Sequence, residues 1–149
     1  MKILIVGAGG VGGYFGAQLL KAGADVTFLL RDKRYDAIKK NGLTVVTPEE
    51  SFVVQPKIAL SKDLKPEYDL IILSPKAYDL DGALSSIEKA SSRGVFLPLL
   101  NGRRHIYKLD TLYGSDRVMG GLANIVATIT PNGEVARMTD RHILTVGHR

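Results

Sequence analysis

The sequence predicts an α/β fold, a doubly wound parallel sheet with a β-rich C-terminal addition. Three observations carry that expectation. Short apolar runs alternate with segments of helical period, a glycine cluster marks the first junction between them, and the residues beyond Arg117 read as strand only. Lys2 to Val6 is a short apolar strand. A helix from Gly10 to Ala22 follows, with Val11, Phe15, Leu19 and Ala22 on one face and Gly23 as its stop. Asp25 to Leu30 alternates as a second strand, completing a βαβ unit. Tyr35 to Asn41 suits a short helix. Leu43 to Thr47 and Lys57 to Leu60 read as strands, with an irregular stretch between Pro48 and Pro56. Asp69 to Leu73 is a continuous apolar run, as expected of a strand buried on both faces of a parallel sheet. Leu80, Leu84 and Ile87 line a helix that Asp79 or Asp81 can cap. Gly94 to Leu100 is the next strand, and Ile106, Leu109 and Leu112 or Tyr113 mark the next helix. In the tail, Arg117 to Thr130, Val135 to Met138 and His142 to Val146 are β-like, with a Pro131-Asn132-Gly133 turn. No repeat or linker divides residues 1–149, which are expected to form one domain.

Composition narrows the function classes. There is no cysteine, which excludes thiolate metal sites, iron–sulfur ligation and a disulfide framework. No histidine spacing suggests a metal site, so none is assigned. Hydrophobic residues make up 45% and charged residues 23% of the chain, ordinary globular values that argue against disorder. The net charge of +5 is scattered and forms no polybasic arm, so nucleic acid is not expected as a partner. Ile3 to Leu20 is uncharged, yet its six glycines between Gly7 and Gly16 make a poor membrane or signal helix, and no membrane association is expected.

Gly7-Ala8-Gly9-Gly10-Val11-Gly12 matches G-x-G-x-x-G, and its position between strand and helix matters more than the string. In a Rossmann-type unit the first glycine makes the tight turn, the second admits a pyrophosphate, and the third lets helix and strand pack closely. The helix N-terminus adds unpaired N–H groups and partial positive charge. The second strand ends Leu30-Arg31-Asp32-Lys33-Arg34. Arg31 there favours a 2′-phosphate and hence NADP(H), whereas an inward-facing Asp32 would favour NAD(H). Lys76 and Asn101 each follow a predicted parallel strand, at the rim where such sheets bind ligands. His105 opens an amphipathic helix beside Arg103 and Arg104 and is expected to be exposed.

Taken together, Met1 to Gly13, Arg31, Pro75-Lys76-Ala77 and Leu97-Pro98-Leu99-Leu100-Asn101-Gly102 resemble the N-terminal half of a ketopantoate reductase, from Met1 to about Gly147. The resemblance implies a cytoplasmic oxidoreductase. It implies an NADPH-dependent reduction of 2-dehydropantoate to pantoate, on the route to pantothenate and coenzyme A. It assigns Gly7, Ala8, Gly9, Gly10, Val11 and Gly12 to the pyrophosphate, Arg31 to the 2′-phosphate, and Lys76 and Asn101 to the cofactor, with Asn101 also near the 2-keto acid substrate. A backbone cofactor contact is expected near Ala123 to Ile125, with Ile125 the residue assigned. Leu100 and Arg103-Arg104 depart from the family pattern and put the substrate in question. Family members also carry a helical C-terminal domain with the general-acid lysine, and no residue of this sequence matches it. The sequence-based expectation is therefore a cofactor-binding half with little turnover of its own, no catalytic residue, and room for self-association through apolar surface at its carboxyl rim. A non-catalytic NADP(H)-binding or redox-sensing module, or a reductase of another 2-keto acid, is the alternative.

Overall fold

A computed structural model describes all 149 residues, Met1–Arg149. The chain runs β1 (Lys2–Val6), α1 (Gly10–Lys21), β2 (Asp25–Leu29), α2 (Asp32–Asn41), β3 (Leu43–Val46), β4 (Ser51–Val54) and β5 (Lys57–Ala59). It continues through β6 (Leu70–Leu73), α3 (Leu80–Ser86), β7 (Val95–Pro98), α4 (Arg104–Tyr113), β8 (Gly120–Ile129) and β9 (Val135–Gly147). Five strands form a parallel sheet in the order β5-β2-β1-β6-β7. Ile3 pairs with Val26 on one side and Leu70 on the other, so the chain direction of winding reverses between β1 and β6. Pro98 is tolerated in β7 because that strand is an edge.

Strand alternation sends side chains to two cores. Ile3, Ile5, Val26, Phe28 and Ile72 meet α1 on one face. Leu4, Val6, Ile71, Leu73 and Phe96 meet Leu84, Ile87 and Leu109 from the helical layer on the other. Both faces are covered, as the apolar runs require.

The C-terminal strands are not a free-standing addition. β8 and β9 form an antiparallel hairpin, and β9 pairs in parallel with β3 at Val45↔Val135, giving a second sheet of order β4-β3-β9-β8. This sheet packs on the side of α1 remote from the first, so α1 lies between two sheets. Tyr14 is therefore fully buried, although the helical pattern did not single it out. Its hydroxyl meets His142 Nδ1 at 2.9 Å, and the buried Arg137 guanidinium lies over its ring.

Several sequence expectations need correction. The stretch read as irregular holds β4, whose four residues pair antiparallel with β3 and are too short to show a period. β9 is one strand where two were expected. A register shift opposite Ile125 and Ala127 absorbs the polar residues Thr139 to Arg141 without breaking it. α2 begins at Asp32, three residues early. Asp79 occupies the N-cap position of α3, but its side chain makes no capping hydrogen bond. Asp79 lies 3.4 Å from Arg31 Nη2, and Asp81 pairs with Lys108. Large apolar side chains left in solvent include Tyr78 just beyond β6, and also Leu122, Val126 and Ile143 on one face of the hairpin. No helix is long and apolar enough to cross a membrane.

Candidate functional site

A cleft of about 1000 Å³ runs along the carboxyl ends of the parallel strands. The loops that form it follow the strand order. Arg31 and Asp32 leave β2, the glycine loop leaves β1, Ser74-Pro75-Lys76 leaves β6, and Leu99-Leu100-Asn101 leaves β7. From β2 to β7 is three interstrand spacings, about 14 Å at roughly 4.8 Å each. The winding reversal between β1 and β6 places the glycine loop at the point where open α/β sheets bind ligands.

The glycines of the loop do different work. Gly7 has φ +95°, and a Cβ there would stand 2.8 Å from Pro75 N. Ser74 Oγ donates to the Gly7 carbonyl at 2.8 Å, tying the turn to the end of β6. A Cβ on Gly12 would collide with Ser74 Oγ and the Gly7 carbonyl, and one on Gly10 with the Ala127 backbone of β8. Gly9 alone among Gly7, Gly9, Gly10 and Gly12 has nothing within 4 Å of its missing Cβ. It is also the residue immediately before α1, at the N-cap position, where no side chain caps the helix. This is a cradle facing open space, ready for a group that needs N–H donors and close backbone approach. The residues fit a dinucleotide on that observation.

Gly7, Ala8, Gly9, Gly10, Val11, Arg31, Lys76 and Asn101 all line the cleft, while Gly12 is buried behind Ser74. Ile125 does not line it. Its side chain packs on the core beneath α1, and Ala127, two residues on, supplies the cleft wall instead. Arg31 is 82% exposed and held only loosely by Asp79, and Asp32 lines the same end without an ion-pair partner.

Arg34 was not singled out from the sequence. It lines the cleft, half-buried, with Nη1 donating to the Gly133 carbonyl at 2.6 Å and Nη2 without an acceptor. Burial lowers its pKa, but a guanidinium stays charged. The signal was available: Arg34 closes the same basic run, Arg31-Asp32-Lys33-Arg34, that follows the second strand. Arg31, Arg34, Lys62 and Lys76 outnumber Asp32 and Asp79 along the walls, so the cleft favours anions.

His105 is a second correction. It is 7% exposed, because the face of α4 that carries Leu109 also carries His105 four residues earlier. Burial holds the imidazole below its ordinary pKa and so keeps it neutral near pH 7.

Residues 3–149 match the family described as ketopantoate reductase PanE/ApbA. The chain belongs to that family. This ketopantoate reductase family member is 36% identical over 148 residues to an uncharacterized oxidoreductase, YkpB, of Bacillus subtilis, covering 99% of this chain and 48% of that one. The crystal structure of 2-dehydropantoate 2-reductase from Geobacter metallireducens superimposes with TM-score 0.88 at 31% identity, over 99% of this chain and 49% of that one. A D-mandelate dehydrogenase in ternary complex with NADH and anilino(oxo)acetate gives TM-score 0.85 at 28% identity, covering 93% and 46%. The chain spans about half the length of the curated relatives it matches.

Proposed function

We infer that this family member forms the NADP(H)-binding half of a 2-oxo acid reductase, with reduction of 2-dehydropantoate to pantoate as the parent reaction. One observation carries the reading: along one cleft, cations stand at the β2 end, an open Gly9 cradle stands at the winding reversal, and Lys76 and Asn101 stand at the β6 and β7 ends. That order matches the order of parts in an extended dinucleotide. A nicotinamide dinucleotide, when bound, supplies the hydride that turns a 2-oxo acid into a 2-hydroxy acid.

The chain's own residues bind and orient. The N–H groups at the start of α1 would receive the pyrophosphate, with Gly9 leaving its approach clear. Arg31, exposed and paired with Asp79 only at 3.4 Å, would hold a 2′-phosphate. Lys76 and Asn101 would donate hydrogen bonds at the opposite end, where the reacting carbonyl must lie.

A titration of NADPH against NADH, followed by nicotinamide fluorescence, tests the assignment. A charge-assisted contact of roughly 1.5–3 kcal/mol predicts about ten- to a hundredfold preference for NADPH, abolished in Arg31→Ala. Equal affinities in the native chain would overturn it. Asp32, lining the same end without an ion-pair partner, supports a second reading. In that case Asp32 meets the ribose hydroxyls, NADH binds better, and the substrate is a different 2-oxo acid.

A further inference from the structure

At the β2 end of the cleft stands a guanidinium whose fork is half used. Arg34, in the first turn of α2, lines the cleft and is half-buried. Its Nη1 donates to the Gly133 carbonyl in the β8–β9 turn at 2.6 Å, which fixes where the group sits. Its Nη2 is buried as well, and no acceptor of the chain meets it. Arg34 belongs to no ion pair either.

A tie to one carbonyl does not account for these facts. A single N–H is enough for that bond, and a lysine could supply it. The fork leaves one donor without an acceptor and one charge without a counter-ion, both costly where water is excluded. An anion in the cleft would satisfy the two together. Position selects which anion. Arg34 follows the end of β2, where a sheet wound this way receives the adenosine ribose, whereas the pyrophosphate cradle follows β1. Arg31, at the same end, is 82% exposed and stands 3.4 Å from Asp79, so it must leave one anion to meet another.

We propose that Arg34 is a second ligand of the cofactor's 2′-phosphate, its guanidinium shared between that phosphate at Nη2 and the Gly133 carbonyl at Nη1. The proposal rests on the reading that the cleft takes NADP(H), and it adds to it a residue and a consequence. Arg34 is held in place before any ligand arrives, and a donor fixed in advance loses less freedom on binding. Because one planar group holds both partners, a 2′-phosphate also steadies the β8–β9 turn, and an unphosphorylated ribose does not.

Adenosine 2′,5′-bisphosphate and adenosine 5′-monophosphate differ only in the 2′-phosphate and isolate the contact. Each is titrated calorimetrically into the native chain, Arg31→Ala, Arg34→Ala and Arg34→Lys, and amide hydrogen exchange is followed at Asn132 and Gly133. The native chain should prefer the bisphosphate, and Arg34→Ala should cut that preference by about tenfold or more, the loss of one charge-assisted contact. Arg34→Lys keeps a cation for the Gly133 carbonyl but not the fork, so its preference should fall as well. The bisphosphate should slow exchange at Asn132 and Gly133 more than the monophosphate does in the native chain, and the two nucleotides should act alike in Arg34→Ala. A preference that survives either substitution at Arg34, while Arg31→Ala abolishes it, overturns the proposal and leaves the NADP(H) reading standing. Equal protection of the native turn by the two nucleotides overturns it too. A native chain without any preference takes down the NADP(H) reading and the proposal with it. The readout is a ratio, so a variant that merely loosens the site weakens both nucleotides alike and counts against the proposal.

Discussion

At Gly9 an added methyl group would meet nothing within 4 Å, whereas at Gly10 it would run into the backbone of Ala127. The two substitutions should therefore separate binding from stability. Gly9 has φ −84°, which alanine adopts freely, and as the residue before the helix its loss costs under about 1 kcal/mol. Gly9→Ala should fold normally and bind NADPH at least tenfold more weakly. Gly10→Ala should lose about 1–3 kcal/mol to overpacking, seen as a lower thermal midpoint. His105 gives a second expectation at this scale. Its folded pKa lies below its ordinary value of 6.5, so the unfolded chain binds the extra proton first. Stability should be fully present above about pH 6.5 and fall as the pH drops below that value, while the lowered carboxylates of Asp25, Glu49, Glu67 and Asp69 remain ionised. Urea unfolding in a phosphate-free buffer measures it, and His105→Gln should flatten the slope. Gly7, Gly9, Arg31, Lys76 and Asn101 were legible in the sequence because each sits at a fixed offset from a strand end. His105 was misread because two neighbouring arginines outweighed its place one turn before Leu109.

The turn of the β8–β9 hairpin is tied to the cleft by a single side chain. Arg34 reaches from the first turn of α2 to the Gly133 carbonyl, and no other side chain is bonded to that carbonyl. Arg34→Ala should leave β8 and β9 paired but raise amide hydrogen exchange around Asn132 and Gly133, while weakening NADPH because a cation leaves the cleft wall. Unchanged exchange would show that the hairpin needs no such tie. α1 shows a different dependence between elements. A Cβ on Gly13 would stand 2.7 Å from Val135, and one on Gly16 would strike the Phe28 ring, so the helix meets one sheet on each side at glycine distance. In the sequence only Gly12 of the glycine cluster was read as a packing position, the rest as ligand loop. Much of it is instead a packing device, and periodicity could not reveal this because the second sheet is built from β3, β4, β8 and β9, which are far apart in the chain.

Across the whole molecule, α1 is the layer shared by two sheets, and the two sheets should unfold together. Val135 is fully buried in β9 yet packs with Tyr14, Phe15 and Leu43 in the same cluster as β1 and β2. Val135→Ala should cost about 2 kcal/mol and lower the midpoint of one cooperative transition. Far- and near-ultraviolet circular dichroism would then give coincident curves before and after the substitution. Separate midpoints would mean that residues 1–149 hold two folding units.

By itself the sequence determined the parallel sheet, the strand ends that face the cleft, and the glycine loop at its centre. These are local matters: a strand is written in its apolar run, and its carboxyl end is the next residue. Only the tertiary structure decided that the C-terminal hairpin joins β3 and β4 around α1, that Ala127 of β8 comes against the glycine loop, and that His105 lies buried beside two free arginines next to Asn101. Each of those depends on which distant segments pair and in which register. A one-residue shift in a strand exchanges its buried and exposed side chains, so no local pattern could choose among them.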